Sequence, residues 1–493
     1  MNLKKTNTNK GITLIALVIT VIVLLILAGT AISIAVNGGN IFAKANTAVE
    51  SYNAKAAQQE TAITGLNTQF DEYYTGYNQN QTPAEPTPTS NEPTPTPTPA
   101  LPAGWDGTKV ASTVSGTITV DSNTNVSVTA PIPTGYVASD VEGENTIVGG
   151  LVIYQGTDPV STDEDAITTR NQFVWIPVTN INSMIMCKEN NQTTGVGDTK
   201  ICNIVLEDGE LKCTVHNTTG AANICGRLYG ADSAKDNEAS TNGNNVYKTS
   251  INFALNTQTF SANSYYCEPA IVTGNYTGDG TSYDGASNNY HGLSSASAFL
   301  TQLQGDFYAM AKSVALYKGF YIARYEAGYD STTYTSKKGQ VVMNASTTAN
   351  VGANRWYGLY NHLRTFVGDE NHPMGVLNSQ MIWGCQYDQA IKFIKQNKGT
   401  NDLDPEIGHT NIGLASDKRT SGAVTGDIMK NIYDLEGNYY ELTAQASSIN
   451  KRVGHGGYYS IVINSDFYPA SYRGSSFPTS TSGTSSSRSG LYL

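Results

Sequence analysis

The strongest constraint on this chain is a stretch from Ile12 to Val36 that contains no Asp, Glu, Lys or Arg. As a helix at about 1.5 Å per residue it would span about 37 Å, enough for a hydrocarbon core of about 30 Å. Lys4, Lys5 and Lys10 precede it and the next charge is Lys44. The positive-inside rule then keeps the short N-terminal arm cytoplasmic and places the bulk of the chain outside, as a single-pass membrane protein. A cleaved secretory signal is the alternative, but its apolar region runs about 7–15 residues, shorter than this one.

Past Asn37-Gly38-Gly39-Asn40, apolar residues recur at helical spacing (Ala48, Val49, Tyr52, Ala56, Ala57, Ile63) in a polar setting. Residues 81–104 follow as a Pro/Thr-rich segment holding eight of the chain's 17 prolines. Such a segment favours polyproline II and serves as a semi-rigid stalk of about 3.1 Å per residue. Only 14% of the chain is charged, against about 25% in ordinary domains, and Tyr outnumbers Phe 30 to 12. A net charge of −11 gives no electrostatic footprint for nucleic acid. A surface low in charge and rich in Tyr, Ser and Asn suits the outside of a cell.

The run Lys10-Gly11-Ile12-Thr13-Leu14-Ile15 resembles the type IV prepilin signature. The resemblance implies cleavage between Gly11 and Ile12, a leader of residues 1–11, and a pilin-like helix over 12–80 that contacts the membrane and other pilin subunits. Ala16 stands where the family has a Glu used for subunit registration. That leaves a minor pilin, a tip subunit or a plain membrane anchor open.

The remainder reads as a head of class α+β. Alternation over 110–129 and 145–154 and the run Phe173-Val174-Trp175-Ile176-Pro177-Val178 suggest strands. Two amphipathic helices are expected. One, over 295–316, has Phe299, Leu300, Leu303, Phe307, Met310 and Val314 on one face. The other, over 379–395, has Ile382, Trp383, Ile391 and Ile394 on one face. A strand is expected between them at 320–326.

Gly-Phe-Tyr-Ile-Ala-Arg-Tyr-Glu-Ala-Gly at 319–328, Trp-Gly-Cys-Gln-Tyr-Asp at 383–388, Gly-Asn-Tyr-Tyr-Glu at 437–441 and Arg-Val-Gly-His-Gly-Gly at 452–457 follow in order. Together with 173–178 they resemble the formylglycine-generating-enzyme (sulfatase-modifying factor) family, a variant of the C-type lectin fold. The resemblance spans about 130–493. It implies a β-rich first part of the head at 105–170, then a lectin-like domain at 171–493 with two helices, irregular sheet and a Cys-containing insertion at 187–265.

The family's oxidase chemistry is not implied. Its paired cysteines would lie near the C-terminus, and no Cys follows Cys385. The six His are scattered without ligand spacing. Glu326 and Asp330 are the nearest carboxylate pair for glycoside hydrolysis, in a segment that reads better as a structural strand. A binding module without catalytic residues is the expectation. The resemblance also implies a structural Ca²⁺ at Asp434, Gly437, Tyr439 and Glu441, whose oxygens suit a hard cation; an ordinary hydrogen-bonded turn is the alternative. Cys187, Cys202, Cys213 and Cys225 allow two disulfides in any of three pairings, while Cys385 reads as core.

From Tyr458 onward the chain holds eleven Ser and five Tyr. Tyr supplies rigid amphipathic area and Ser adaptable hydrogen bonds. Relatives of the fold are targets of diversity-generating retroelements, which vary this face. The candidate ligand contacts are Tyr458, Tyr459, Asn464, Asp466, Tyr468, Tyr472, Arg473, Phe477, Ser485 and Arg488. The partner would be an extracellular protein or glycan. The rival readings are a pilus subunit without a ligand and a diverged enzyme.

Overall fold

The computed structural model describes residues 101–120, 124–187, 203–214, 218–226, 268–269, 296–329, 334–346, 355–364, 366, 377–409, 419–448, 451–459, 469–478, 480 and 482–493. The chain divides into two units, Met1–Thr98 and Pro99–Leu493, and every described residue belongs to the second. The expected leader, apolar helix and most of the stalk, with Gly11 and Ile12, therefore lie outside the described residues. Among those described, no helix is long and apolar enough to cross a membrane.

The head is α+β, as its sequence implies. It opens with a hairpin of β1 (Val110–Val120) and β2 (Thr124–Pro133). Next come β3 (Tyr136–Ala138), β4 (Val152–Gln155) and β5 (Gln172–Pro177). All of β5 is buried, which explains its unbroken apolar run: a strand covered on both faces has no polar side to alternate with. Strand β6 (Ile185–Cys187) pairs with β7 (Ile224–Gly226), and β8 (Gly319–Ala323) lies beside β5. Tyr321 of β8 faces Trp175 with ring centroids 4.9 Å apart. Gly319 is required there, because a Cβ would overlap the Trp175 ring and the Ile176 carbonyl.

Strand β9 (Asn378–Met381) and the late strand β14 (Ser489–Tyr492) complete a six-stranded sheet ordered β9-β14-β8-β5-β4-β3. A second sheet has the order β12-β11-β10-β13, from β10 (Tyr440–Ser448), β11 (Lys451–His455), β12 (Arg473–Ser476) and β13 (Ser485–Ser486). The β10–β13 pair is parallel.

Helix α1 (Ala296–Tyr317) buries Phe299, Leu303, Phe307, Met310 and Val314, the expected face; Leu300 is only half-buried. Helix α3 (Gly384–Asn397) starts later than its periodicity suggests. Residues 378–381 are strand β9, and Ile382 and Trp383 are core residues just before the helix, Trp383 edge-on to Phe307 at 5.0 Å. Helix α2 (Arg355–Arg364), beyond the two helices expected, buries Trp356, Tyr357, Leu359, Tyr360 and Leu363. The alternation at 145–154 yields strand only from Val152. Before it the chain turns, and Glu144 reaches the buried Arg324 at 2.6 Å.

Part of the 187–265 insertion lies against α1, where the Leu211 N–H donates to the Tyr308 hydroxyl at 3.0 Å. Cys187, Cys213, Cys225 and Cys385 are buried, and no disulfide joins two of them. The Cys213 and Cys225 thiols donate to the carbonyls of Asn223 (3.6 Å) and Met186 (3.4 Å). Cys202 lies outside the described residues.

Candidate ligand-binding face and the buried charges behind it

The C-terminal residues expected to meet a ligand fall into two classes. Arg473, Ser485 and Arg488 are buried, which corrects their reading as exposed contacts. The Arg488 guanidinium spends its planar donor fork inside the protein. Its Nε donates to both oxygens of Glu441 at 2.8 and 2.7 Å, Nη1 to the Ala323 carbonyl at 3.0 Å and Nη2 to the Tyr433 carbonyl at 2.9 Å. It thus ties β10 to the ends of β8 and β14. Burial works against the Arg488 charge, but Glu441 outweighs it and the guanidinium pKa rises. Arg473 of β12 pairs with Asp388 of α3, and its charge adds to burial in pushing His455 far below the usual histidine range. His455 stacks on Tyr387 at 4.1 Å. Arg452 lies over the Trp356 ring at 4.0 Å. Charged residues in these strands therefore fasten the sheet to its covering helices.

Behind this layer sits a group of buried carboxyls. Glu326 accepts from the Asn438 side chain at 2.5 Å and the Tyr439 N–H at 3.0 Å. Asp427 accepts from the N–H groups of Glu436 and Gly437 at 3.1 and 2.9 Å. Asp434 accepts from the Gly422 N–H at 2.6 Å through Oδ2, while its buried Oδ1 has no hydrogen-bond partner. The Glu436 carboxyl meets the His409 ring at 2.7 Å and accepts from the His409 N–H.

Burial disfavours the charged forms. It raises Asp427 to about 6 and Asp434 to about 8, the latter helped by Asp427. It raises Glu436 to about 9 and lowers His409, so that pair sits in its neutral form near pH 7. Burial also lifts Glu326 well above the carboxylate range, assisted by Asp434 and Glu441. Away from this group, Glu268 accepts from the Gly384 and Cys385 N–H groups at the start of α3, at 2.8 and 2.6 Å, and burial raises it to about 7.

All four residues expected to hold Ca²⁺ make hydrogen bonds within the protein. Both oxygens of Glu441 are held by Arg488, and the Gly437 and Tyr439 N–H groups point to Asp427 and Glu326. Asp434 Oδ1 is the one carboxylate oxygen of the set without a hydrogen bond, and no group of three or more His, Cys, Asp or Glu among the described residues is arranged to hold a metal. Asp330 lies outside the described residues, so Glu326 is placed without its expected companion.

The second class is aromatic and half-buried: Tyr458, Tyr459, Tyr472 and Phe477. Tyr459 lies edge-on to Tyr458 at 6.3 Å and to Tyr439 at 6.0 Å. Tyr472 packs on Tyr440 at 6.4 Å, and Lys451 sits 4.9 Å from the Phe477 ring centre. Asn464, Asp466 and Tyr468 lie outside the described residues.

Tyr440 and Lys451 are the residues the sequence reading missed. Tyr440 rests on Gly454 of β11 and Gly474 of β12, which are register partners; a Cβ on either glycine would overlap its ring or hydroxyl. Glycines two residues after Arg452 and one after Arg473 were the available signal, since a paired glycine in neighbouring strands leaves room for one large ring. Comparison with protein-family models, curated proteins and solved structures returned no match.

Proposed function

We propose that the chain is a cell-surface ligand-binding protein: a pilin-like or simple membrane anchor, a Pro/Thr stalk, and a head resembling the C-type-lectin variant of the formylglycine-generating-enzyme family. The head would bind an extracellular protein or glycan through its C-terminal face. One observation carries this reading. On β11 and β12 the arginines turn inward to fixed partners, while Tyr440, Tyr472 and Phe477 remain half-buried, with Lys451 beside Phe477. Rigid aromatics with few rotatable bonds give contact area at low entropic cost. Binding rather than catalysis is favoured because Glu326, Asp427 and Glu441 each hold backbone or side-chain partners that build the fold.

The test compares cells bearing the wild-type chain with cells bearing Tyr458→Ala/Tyr472→Ala/Phe477→Ala, scored for attachment to immobilised glycans and extracellular proteins. Lost attachment with an unchanged melting temperature supports the reading, and equal attachment sinks it. The Lys10–Ile15 run favours a second reading, a pilus subunit without its own ligand. In that case deleting residues 103–493 leaves attachment unchanged.

A further inference from the structure

The β1–β2 hairpin leaves one edge in an unusual state. In its register Thr113, Ser115, Thr117 and Thr119 are opposite Pro131, Thr129, Ser127 and Asn125. Pro131 has no N–H to give, so these are the non-hydrogen-bonded pairs, and the N–H and C=O of the β1 members point away from β2. At Thr119 that outward pair is filled by one side chain: the Thr119 N–H donates to Asn397 Oδ1 at 2.8 Å, and Asn397 Nδ2 donates to the Thr119 carbonyl at 3.1 Å. The Asn397 amide thus acts as a single residue of a neighbouring strand. At Thr113, Ser115 and Thr117 no described residue supplies a backbone partner.

Edges of this kind are normally protected by charge, proline or a bulge. The β2 edge carries Pro131 and Pro133, and its Pro131 carbonyl is taken by the Tyr321 hydroxyl at 2.5 Å. The β1 edge carries neither proline nor charge. Its regular stretch is bounded at one end by the register irregularity between Val110 and Ser112 and at the other by Asn397 at Thr119. Ser115 lies at the midpoint.

We propose that this edge pairs with the same edge of a second copy, antiparallel about a two-fold axis through Ser115. Thr113 of one copy then faces Thr117 of the other, Ser115 faces Ser115, and every N–H of these residues meets a carbonyl of the partner. The register favours a second copy as the occupant, because a two-fold axis at Ser115 makes this edge its own complement. The chain carries −11, but β1 and β2 contain no charged residue, so the pairing strands set no like charges opposite one another. A short strand pair alone is weak, and tethering copies to one surface supplies the effective concentration it needs.

The test is amide hydrogen exchange of the full chain in detergent micelles at low and high protein concentration, read on peptides covering 110–120. The proposal expects exchange there to slow by at least about tenfold at high concentration. Thr117→Lys and Ser115→Pro should abolish the slowing, and Asn125→Lys on the β2 edge should retain it. A mass-labelled synthetic peptide of residues 110–120 should itself slow exchange of that edge in the wild-type protein at low concentration, which frees the test from the folding of any variant. Exchange that ignores concentration overturns the proposal, including when the chain associates through its N-terminal segment. Slowing caused by an unrelated Val-Thr repeat peptide, and not by concentration, overturns the second copy in favour of a foreign strand.

Discussion

Tyr440 occupies the volume that a side chain on Gly454 would need. The ring therefore lies flat on β11 and β12 and fixes Tyr472 beside it at 6.4 Å. Gly454→Ala should destabilise the protein by about 1–3 kcal/mol through overpacking. Tyr440→Ala in the same chain should return most of that loss. Chemical denaturation of the two single variants and the double variant checks this, and additive losses would refute the packing account.

Arg488 and Glu441 should be the most costly pair to split. Glu441→Gln leaves a buried guanidinium without its counter-charge, an effect of about 3–5 kcal/mol. Arg488→Ala should likewise abolish cooperative unfolding rather than weaken a ligand contact. Phe477→Ala, at a half-buried position, should leave the melting temperature almost unchanged. A folded, stable Arg488→Ala protein with lost binding would restore Arg488 as a contact residue.

Stability should fall between about pH 7 and pH 9. Glu268, Asp434 and Glu436 hold their protons in the folded state to about 7, 8 and 9. In the unfolded chain they release them near pH 4. The folded state thus binds more protons across this window, and stability drops as pH rises through the folded values. His362, His409 and His455 have lowered folded values and act with the opposite sign, but below about pH 7. Thermal melts from pH 7 to 9 check the slope, and Asp434→Asn with Glu436→Gln should flatten it.

Chelation of calcium should leave the melting temperature unchanged, because Arg488 already neutralises Glu441 and burial keeps Asp434 protonated near neutral pH. A drop in melting temperature on adding EGTA, reversed by excess Ca²⁺, would show that the fold holds a stabilising Ca²⁺.

Much of the head was legible where one rule governs. The strand at 173–177 declared itself by an unbroken apolar run, and α1 by its 3.6-residue stripe. The start of α3 was misread because Ile382 and Trp383 continue the helical spacing while belonging to the core before the helix. The site was legible by side-chain type alone for the aromatics. For Arg473 and Arg488 it was misleading, because an arginine's place depends on whether a distant carboxylate meets it; Asp388 and Glu441 lie far away in sequence. Tyr440 was invisible because its position follows from two glycines in strands that only the fold brings together.

The place of β14 has a consequence for how the chain fails. It is an interior strand, and its partners β8 and β9 are made long before it. Until residues 489–492 arrive, those partners present two unpaired edges to their surroundings, and Glu441 waits without Arg488. A chain cut short by a handful of residues would therefore lose the join between two halves of its main sheet and gain two adhesive edges. For such a protein a late stop codon behaves less like a trimmed tail than like a missing keystone, and its product should be degraded rather than accumulate.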